Sequence, residues 1–163
     1  MPERRSSGTI EVRAGKDPDL AAVARLHRAS ILSECGSHYT ATQLSTWTKR
    51  LTLEAYRALV APRKWYVATI DRRICGFGIV DTNAALINAT YVAPERIGMG
   101  AGRVLVEAMQ TLAVEHGLRR LSLVSTLNAV GFYEHLGFIQ DAQMDGSSPG
   151  GEDLPGVTMS KSL

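Results

Sequence analysis

The sequence predicts an α+β fold with a mixed sheet in a single domain, and three observations carry that prediction. Strand-like runs follow one another at 64–70, 74–80 and 85–92; the apolar period then switches to a helical one from Gly100; and a further strand-like run at 120–124 comes directly after that helix. A strand, a glycine turn, a helix and a strand in series make a βαβ unit, so one pair of neighbouring strands runs parallel among others joined by short turns. With 163 residues, 45% hydrophobic and 21% charged, the chain suits one domain with a buried core.

Taken in order, residues 1–8 are polar and expected to be disordered, and 9–163 form the domain. Residues 9–15 (TIEVRAG) alternate apolar and polar as a half-buried strand does. Asp17 followed by Pro18 reads as the N-cap and first position of a helix, with Leu20, Val23, Ala24, Leu26, His27 and Ile31 on one face. The stretch CGSHY at 35–39 closes it. Helices fit 40–51 and 52–60, the latter with Thr52 as cap and Pro62 as stop. Asp71-Arg72-Arg73 suits a hairpin turn. The helix from Gly100 carries Val104, Leu105, Ala108, Leu112 and Ala113 on one side and ends at Gly117. A short helix over 128–136 closes at Gly137, a strand follows at 138–144, and a final strand at 157–161 pairs back across the loop 145–156, which is flexible by composition. This yields six to seven strands flanked by helices.

Several function classes are excluded. No stretch approaches eighteen uninterrupted apolar residues and no apolar segment backs the basic start MPERRSSG, so no membrane partner is expected and the expected location is cytoplasmic. Cys35 and Cys75 lack the spacing of a metal site or a disulfide scaffold. The net charge is +2 with scattered Lys and Arg, so no nucleic-acid partner is expected either.

Three glycines fall within ERIGMGAG (95–102), between a strand and a helix. The start of a helix offers unpaired N–H groups, and glycines let a phosphate approach the backbone; the same glycines also serve tight turns and close packing alone. Arg103 and Val104 stand where a P-loop needs Lys and Ser or Thr, and RLSLVST (120–126) lacks the acidic ribose ligand of a dinucleotide fold.

The stretch YVAPERIGMGAGRVLV (91–106) resembles the acyl-CoA-binding motif of the GCN5-related N-acetyltransferases (GNATs), and LNAVGFYEHLGF (127–138) resembles that family's second signature, in the same order and at about the same separation. YTATQLSTW (39–47) is similar to a Tyr-x-x-x-Gln-x-x-x-Trp segment of a bacterial subgroup resembling YafP. Ile97 departs from the family's Gln or Arg, with Arg96 beside it, and Thr126 occupies the position of the usual asparagine while Asn128 directly precedes Ala129. The resemblance implies a GNAT-like sheet in which two parallel strands splay apart and acetyl-CoA inserts between them. It assigns the co-substrate to Thr90, Tyr91, Val92, Gly98, Met99, Gly100, Ala101, Gly102, Arg103 and Asn128.

By the same resemblance, Tyr133 is the catalytic acid that protonates the departing thiolate; its other reading is a core aromatic. No general base stands out, with Glu34 and His38 as candidates beside a water-mediated route. Tyr39 and Trp47 form either an aromatic wall for the acceptor or ordinary core. The implied activity is acetyl transfer to a primary amine of a small molecule or peptide. The alternatives are a non-catalytic acyl-CoA-binding sensor, transfer to a hydroxyl, or a longer acyl group. A homodimer fits the family's habit and the exposed strand edges.

Overall fold

The computed structural model describes residues 8–144 and 154–163. The expectations for the terminus before Gly8 and for most of the loop 145–156 therefore lie outside the described residues. The elements are β1 (Ile10–Ala14), α1 (Leu20–Glu34), α2 (Ala41–Lys49), α3 (Leu53–Val60), β2 (Lys64–Ile70), β3 (Arg73–Asp81), β4 (Leu86–Val92), α4 (Ala101–Glu115), β5 (Arg120–Ser125), α5 (Val130–His135), β6 (Ile139–Met144) and β7 (Gly156–Ser162). The expected α+β class and strand count match this arrangement, a seven-stranded sheet in the order β1-β2-β3-β4-β5-β7-β6.

Local chemistry explains most boundaries. Thr40 accepts the Gln43 N–H and the Gln43 side chain answers the Thr40 N–H, a reciprocal cap that starts α2. Thr52 caps α3 through the Ala55 N–H. The β2–β3 turn holds Asp71 and Arg72 at φ 49° and 64°, the left-handed pair that a two-residue hairpin demands, here without glycine. Asp81 accepts the N–H groups of Asn83 and Ala84 and so shapes the β3–β4 turn, with Arg63 at 3.4 Å.

One expectation is corrected. α1 does not begin at Asp17: residues Asp17–Asp19 form a 3-10 turn and the α-helix opens at Leu20. The capping carboxylate belongs to Asp19, which accepts the Lys16 N–H at 2.8 Å and grips Arg13 at 2.7 Å; Asp17 instead pairs with Arg57 at 2.9 Å. Asp17 is drawn outward to Arg57, while Asp19 takes the amide ahead of the turn and holds the strand arginine.

Both faces of the sheet are covered. α1 and α3 bury Leu20, Val23 and Tyr56 against Val67, Phe77 and Ile79, whereas α4 buries Val106 and Met109 against Val80, Ile87 and Leu121. Ile79 and Val80 are neighbours on β3 yet serve opposite faces, as strand alternation requires. The β3–β4 ladder contains a bulge: Ile79 pairs with Ala89 but Val80 pairs with Ile87, which leaves Asn88 as an extra residue on β4.

Tyr39 fastens three segments. Its hydroxyl donates to the Pro155 carbonyl at 2.8 Å and accepts the Leu127 N–H at 3.1 Å, tying the α1–α2 connection to the approaches of β7 and α5. Removing that oxygen in Tyr39→Phe is expected to cost about 1–3 kcal/mol, because both partners lose a buried or half-buried bond. A drop in the thermal midpoint with an unchanged circular dichroism spectrum checks it.

Candidate active site

The site follows from an interrupted ladder. β4 and β5 run parallel but register at only two pairs, Leu86 with Ser122 and Ile87 with Leu123. Beyond them β5 stays paired with β7, through Val124 opposite Thr158 and Ser125 opposite Val157, while the rest of β4 has no strand beside it on that side. The bulge at Asn88 falls just where the pairing stops. The splay that the sequence implied is thus a two-residue ladder followed by a gap.

The gap exposes specific backbone donors. Ala93 N–H donates to Cys75 O on β3 at 2.8 Å. Successive strand amides point to opposite edges, so the Val92 and Thr90 N–H groups face the β5 side, where nothing in the ladder receives them. A cavity of about 360 Å³ occupies this gap. Thr90, Tyr91 and Val92 form one wall, Leu123 and Val124 the other, with Tyr133 and Phe132 of α5 also lining it.

At one end stands the N-terminus of α4. Gly100 is its N-cap at φ 96°, with no side-chain cap, and Gly98 lies at φ 83°. A Cβ at Gly98 would meet nothing within 4 Å, so the turn faces open space. The first intrahelical bond recorded is Val104 N–H to Gly100 O at 3.2 Å, which leaves the amides of Ala101, Gly102 and Arg103 free for an anion. Glycine at 102 lets the helix sit close, since a Cβ there would come within 2.9 Å of the Phe132 ring. The residues therefore fit a diphosphate-bearing thioester: a bare helix end for the phosphates and a free strand edge for an amide-containing arm.

Most of the sequence-predicted residues converge here. Thr90, Tyr91, Val92, Gly98, Gly100, Ala101, Gly102, Arg103, Asn128 and Tyr133 all line the cavity, and Glu34 reaches its rim. Met99 turns instead toward the Ala68 and Leu105 cluster behind the turn. The Arg103 guanidinium pairs with Glu107 at 3.1 Å, while Arg96 and Ile97 line the phosphate end. Asn128 Oδ1 accepts from the Cys35 thiol at 3.4 Å. His38 is exposed and does not line the cavity; Tyr39 is the tie described above.

Tyr133 is buried at 7% exposure, and burial pushes its phenol upward, so it keeps its proton through neutral pH. The Thr90 hydroxyl opposes that rise, though its alignment falls short of a hydrogen bond. Burial, reinforced by Glu34, likewise pushes the Cys35 thiol up to about 11.

Sequence reasoning missed a second chamber. A cavity of about 230 Å³ between α1, α2, α3 and the sheet is lined by His27, Trp47, Tyr56, Phe77 and Tyr91. It shares Asn88, Ala89 and Tyr91 with the first, so the two lie against the same stretch of β4. Trp47 thus both packs in the core and faces a cavity. The available signals were a histidine within the apolar stripe of α1 and an asparagine in the middle of an apolar strand.

The profile of the acetyltransferase (GNAT) domain family matches residues 35–163. A GCN5-related N-acetyltransferase from Rhodopseudomonas palustris superposes with a TM-score of 0.87 at 26% identity, covering 95% of this chain and 96% of that one. PaiA N-acetyltransferase from Thermoplasma acidophilum, solved in complex with coenzyme A, gives 0.81 at 20% identity over 95% and 99%. The ribosomal-protein-S18-alanine N-acetyltransferase from Escherichia coli shares the fold at 0.68 and 16% identity, over 95% and 94%. No curated protein matches the sequence. Fold and site together define an acyl-CoA-dependent N-acetyltransferase. The chain belongs to the GNAT acetyltransferase family. Among the described residues no helix is long and apolar enough to cross a membrane, and no group of His, Cys, Asp and Glu could hold a metal ion.

His27 has a consequence for stability. Burial lowers its pKa from 6.5 to about 3, and the ionisable side chains packed on it, Tyr56 and Tyr91, are themselves held neutral by burial. The unfolded chain takes up a proton near pH 6.5 that the folded one refuses until about 3. Stability from this group is therefore complete above 6.5 and declines as pH falls, by about 3 kcal/mol at pH 4.5. Denaturant titrations at pH 7 and 4.5 are expected to show that loss in the wild type, and a correspondingly smaller one in His27→Phe.

Proposed function

We propose that the protein transfers an acetyl group from acetyl-CoA to a primary amine of a small molecule or peptide by direct attack. The observation that carries this reading is the free edge of β4 running from the bare end of α4 to the Tyr133 hydroxyl. The amides of residues 98 to 103 receive the diphosphate, and the pantetheine arm pairs with the β4 edge as an added strand would. A free β4 N–H near Val92 is the donor for the oxyanion that forms when nitrogen attacks the thioester carbon.

Direct attack, rather than a cysteinyl intermediate, follows from Cys35. It is the one thiol lining the cavity, and with its pKa pushed up to about 11 it stays protonated and a poor nucleophile. In the transfer, the nitrogen–carbon bond forms, the carbon–sulfur bond breaks, and the proton lost by nitrogen ends on sulfur. Tyr133 gives its proton to sulfur and recovers one from the ammonium side. A phenol is a weaker acid than a thiol by at least about 1.5 units, so complete transfer is uphill by about 2 kcal/mol or more, a cost that the return of a proton from nitrogen offsets. Amine deprotonation proceeds through water, with Glu34 as the carboxylate on the cavity rim; exposed His38 has no place in it.

Tyr133→Phe is expected to lower kcat about 10²- to 10⁴-fold with the KM for acetyl-CoA little changed, measured by thiol release. Unchanged kcat with a good amine would remove the acid from the mechanism. Stabilisation by acetyl-CoA without turnover on any amine would favour a sensor instead. Gly100→Val places a branched side chain at φ 96° beside the free amides, and isothermal calorimetry is expected to show at least about tenfold weaker acetyl-CoA binding.

A further inference from the structure

The second chamber carries information about the acceptor. Its walls are aromatic and aliphatic: Trp47 stands edge-on to His27 at 6.2 Å, Phe77 lies 5.5 Å from the same ring, and Tyr91 lies tilted against it at 3.9 Å. No carboxylate lines it among the described residues, and its one cationic lining residue is Arg50. With no carboxylate and an arginine on its lining, the chamber disfavours a second ammonium, which its aromatic faces alone would have to hold. At about 230 Å³ it is larger than the roughly 150 Å³ dry cavity that suffices for benzene.

His27 adds a polar group to this mostly apolar lining. His27 is buried at 7% exposure, its Nδ1 bonds the Tyr56 hydroxyl, and its Nε2 is buried with no partner among the described residues. Burial keeps the Tyr56 phenol protonated, and Nδ1 is the acceptor that the described residues offer it. With Nδ1 accepting, the ring hydrogen sits on Nε2, a tautomer assigned from this network. A buried donor without a partner costs free energy that a ligand oxygen recovers. A core histidine has no need of a cavity beside it, yet this one lines a chamber that shares three β4 residues with the acetyl-transfer cleft.

We infer that the acceptor is an amine carried on an uncharged aromatic or branched apolar body, which fills this chamber and receives the His27 Nε2–H on an oxygen of that body. The inference rests on the acetyl-transfer reading and narrows its substrate class, away from polyamines and lysine side chains. His27 here is a positioning and specificity residue rather than the base, since a neutral imidazole with its hydrogen on Nε2 donates toward the ligand. Asn88, whose Oδ1 is also buried without a partner among the described residues, lines both cavities.

The test uses the full chain in a Trp65→Phe background, so that Trp47 is the remaining tryptophan of two. In the presence of CoA, phenethylamine and its three ring-hydroxylated isomers are titrated against Trp47 emission, with spermidine and a lysine peptide as charged comparators, and CoA affinity is measured by calorimetry on the same samples. Saturable responses to the aryl amines and none to spermidine or the peptide are expected. At least one hydroxylated isomer is expected to bind several-fold tighter than phenethylamine, and His27→Phe to abolish that preference while still binding phenethylamine. Ala55→Phe, at an exposed lining position, is expected to weaken every aryl amine about tenfold with CoA affinity unchanged. Equal responses to spermidine, insensitivity to Ala55→Phe, or a hydroxyl preference that survives His27→Phe would overturn the inference with acetyl transfer intact. Failure of CoA itself to bind would remove both.

Discussion

The whole arrangement depends on a parallel ladder that stops after two residue pairs. Had β5 continued alongside β4, the Thr90 and Val92 amides would be spent on a protein strand and the centre of the sheet would be closed. Two features stop it. The bulge at Asn88 shifts the β4 register, and β5 is held on its far side by six pairs with β7, so it cannot follow. The sheet compensates for the open edge elsewhere, with antiparallel ladders on both flanks and helices over both faces.

That geometry divides the molecule into two halves with different chemistry. On the α4 side the site is made mostly of backbone: free amides, two left-handed glycines and an unpaired strand edge, which recognise phosphate and amide groups without reference to side chains. On the α1–α3 side it is made of side chains, five of them aromatic or imidazole around a single chamber. The halves meet along Asn88, Ala89 and Tyr91, three consecutive or alternate positions of one strand. Under the proposed function, acyl donor and acceptor are therefore set by different parts of the sequence.

The backbone half was largely legible in advance and the side-chain half was not. Glycines at 98 and 100 can be placed from one sequence because the period switch fixes where the helix begins and few residue types tolerate those conformations, whereas Gly102 answers to the close approach of Phe132. Tyr133 was reached through resemblance rather than from its spacing. The chamber was missed because its residues come from 27, 47, 56, 77 and 91, a set that only the tertiary fold brings together, and because histidine within an apolar helix face reads the same whether it packs or binds. The bulge at Asn88 was invisible for a related reason: a one-residue register shift leaves alternation in an apolar strand almost unchanged. At Asp17 the proline signal was sound, since Pro18 lies in the opening 3-10 turn, but the Asp17 carboxylate pairs with Arg57 and Asp19 takes the Lys16 N–H.

The central claim is that the unpaired edge of β4 holds the thioester arm, and amide hydrogen exchange reads that edge directly. Coenzyme A is expected to slow exchange at the Thr90 and Val92 amides and at Ala101 to Arg103, with the β3-facing amide of Ala93 already protected in its absence. Unchanged exchange at Thr90 and Val92 under saturating coenzyme A would contradict the account.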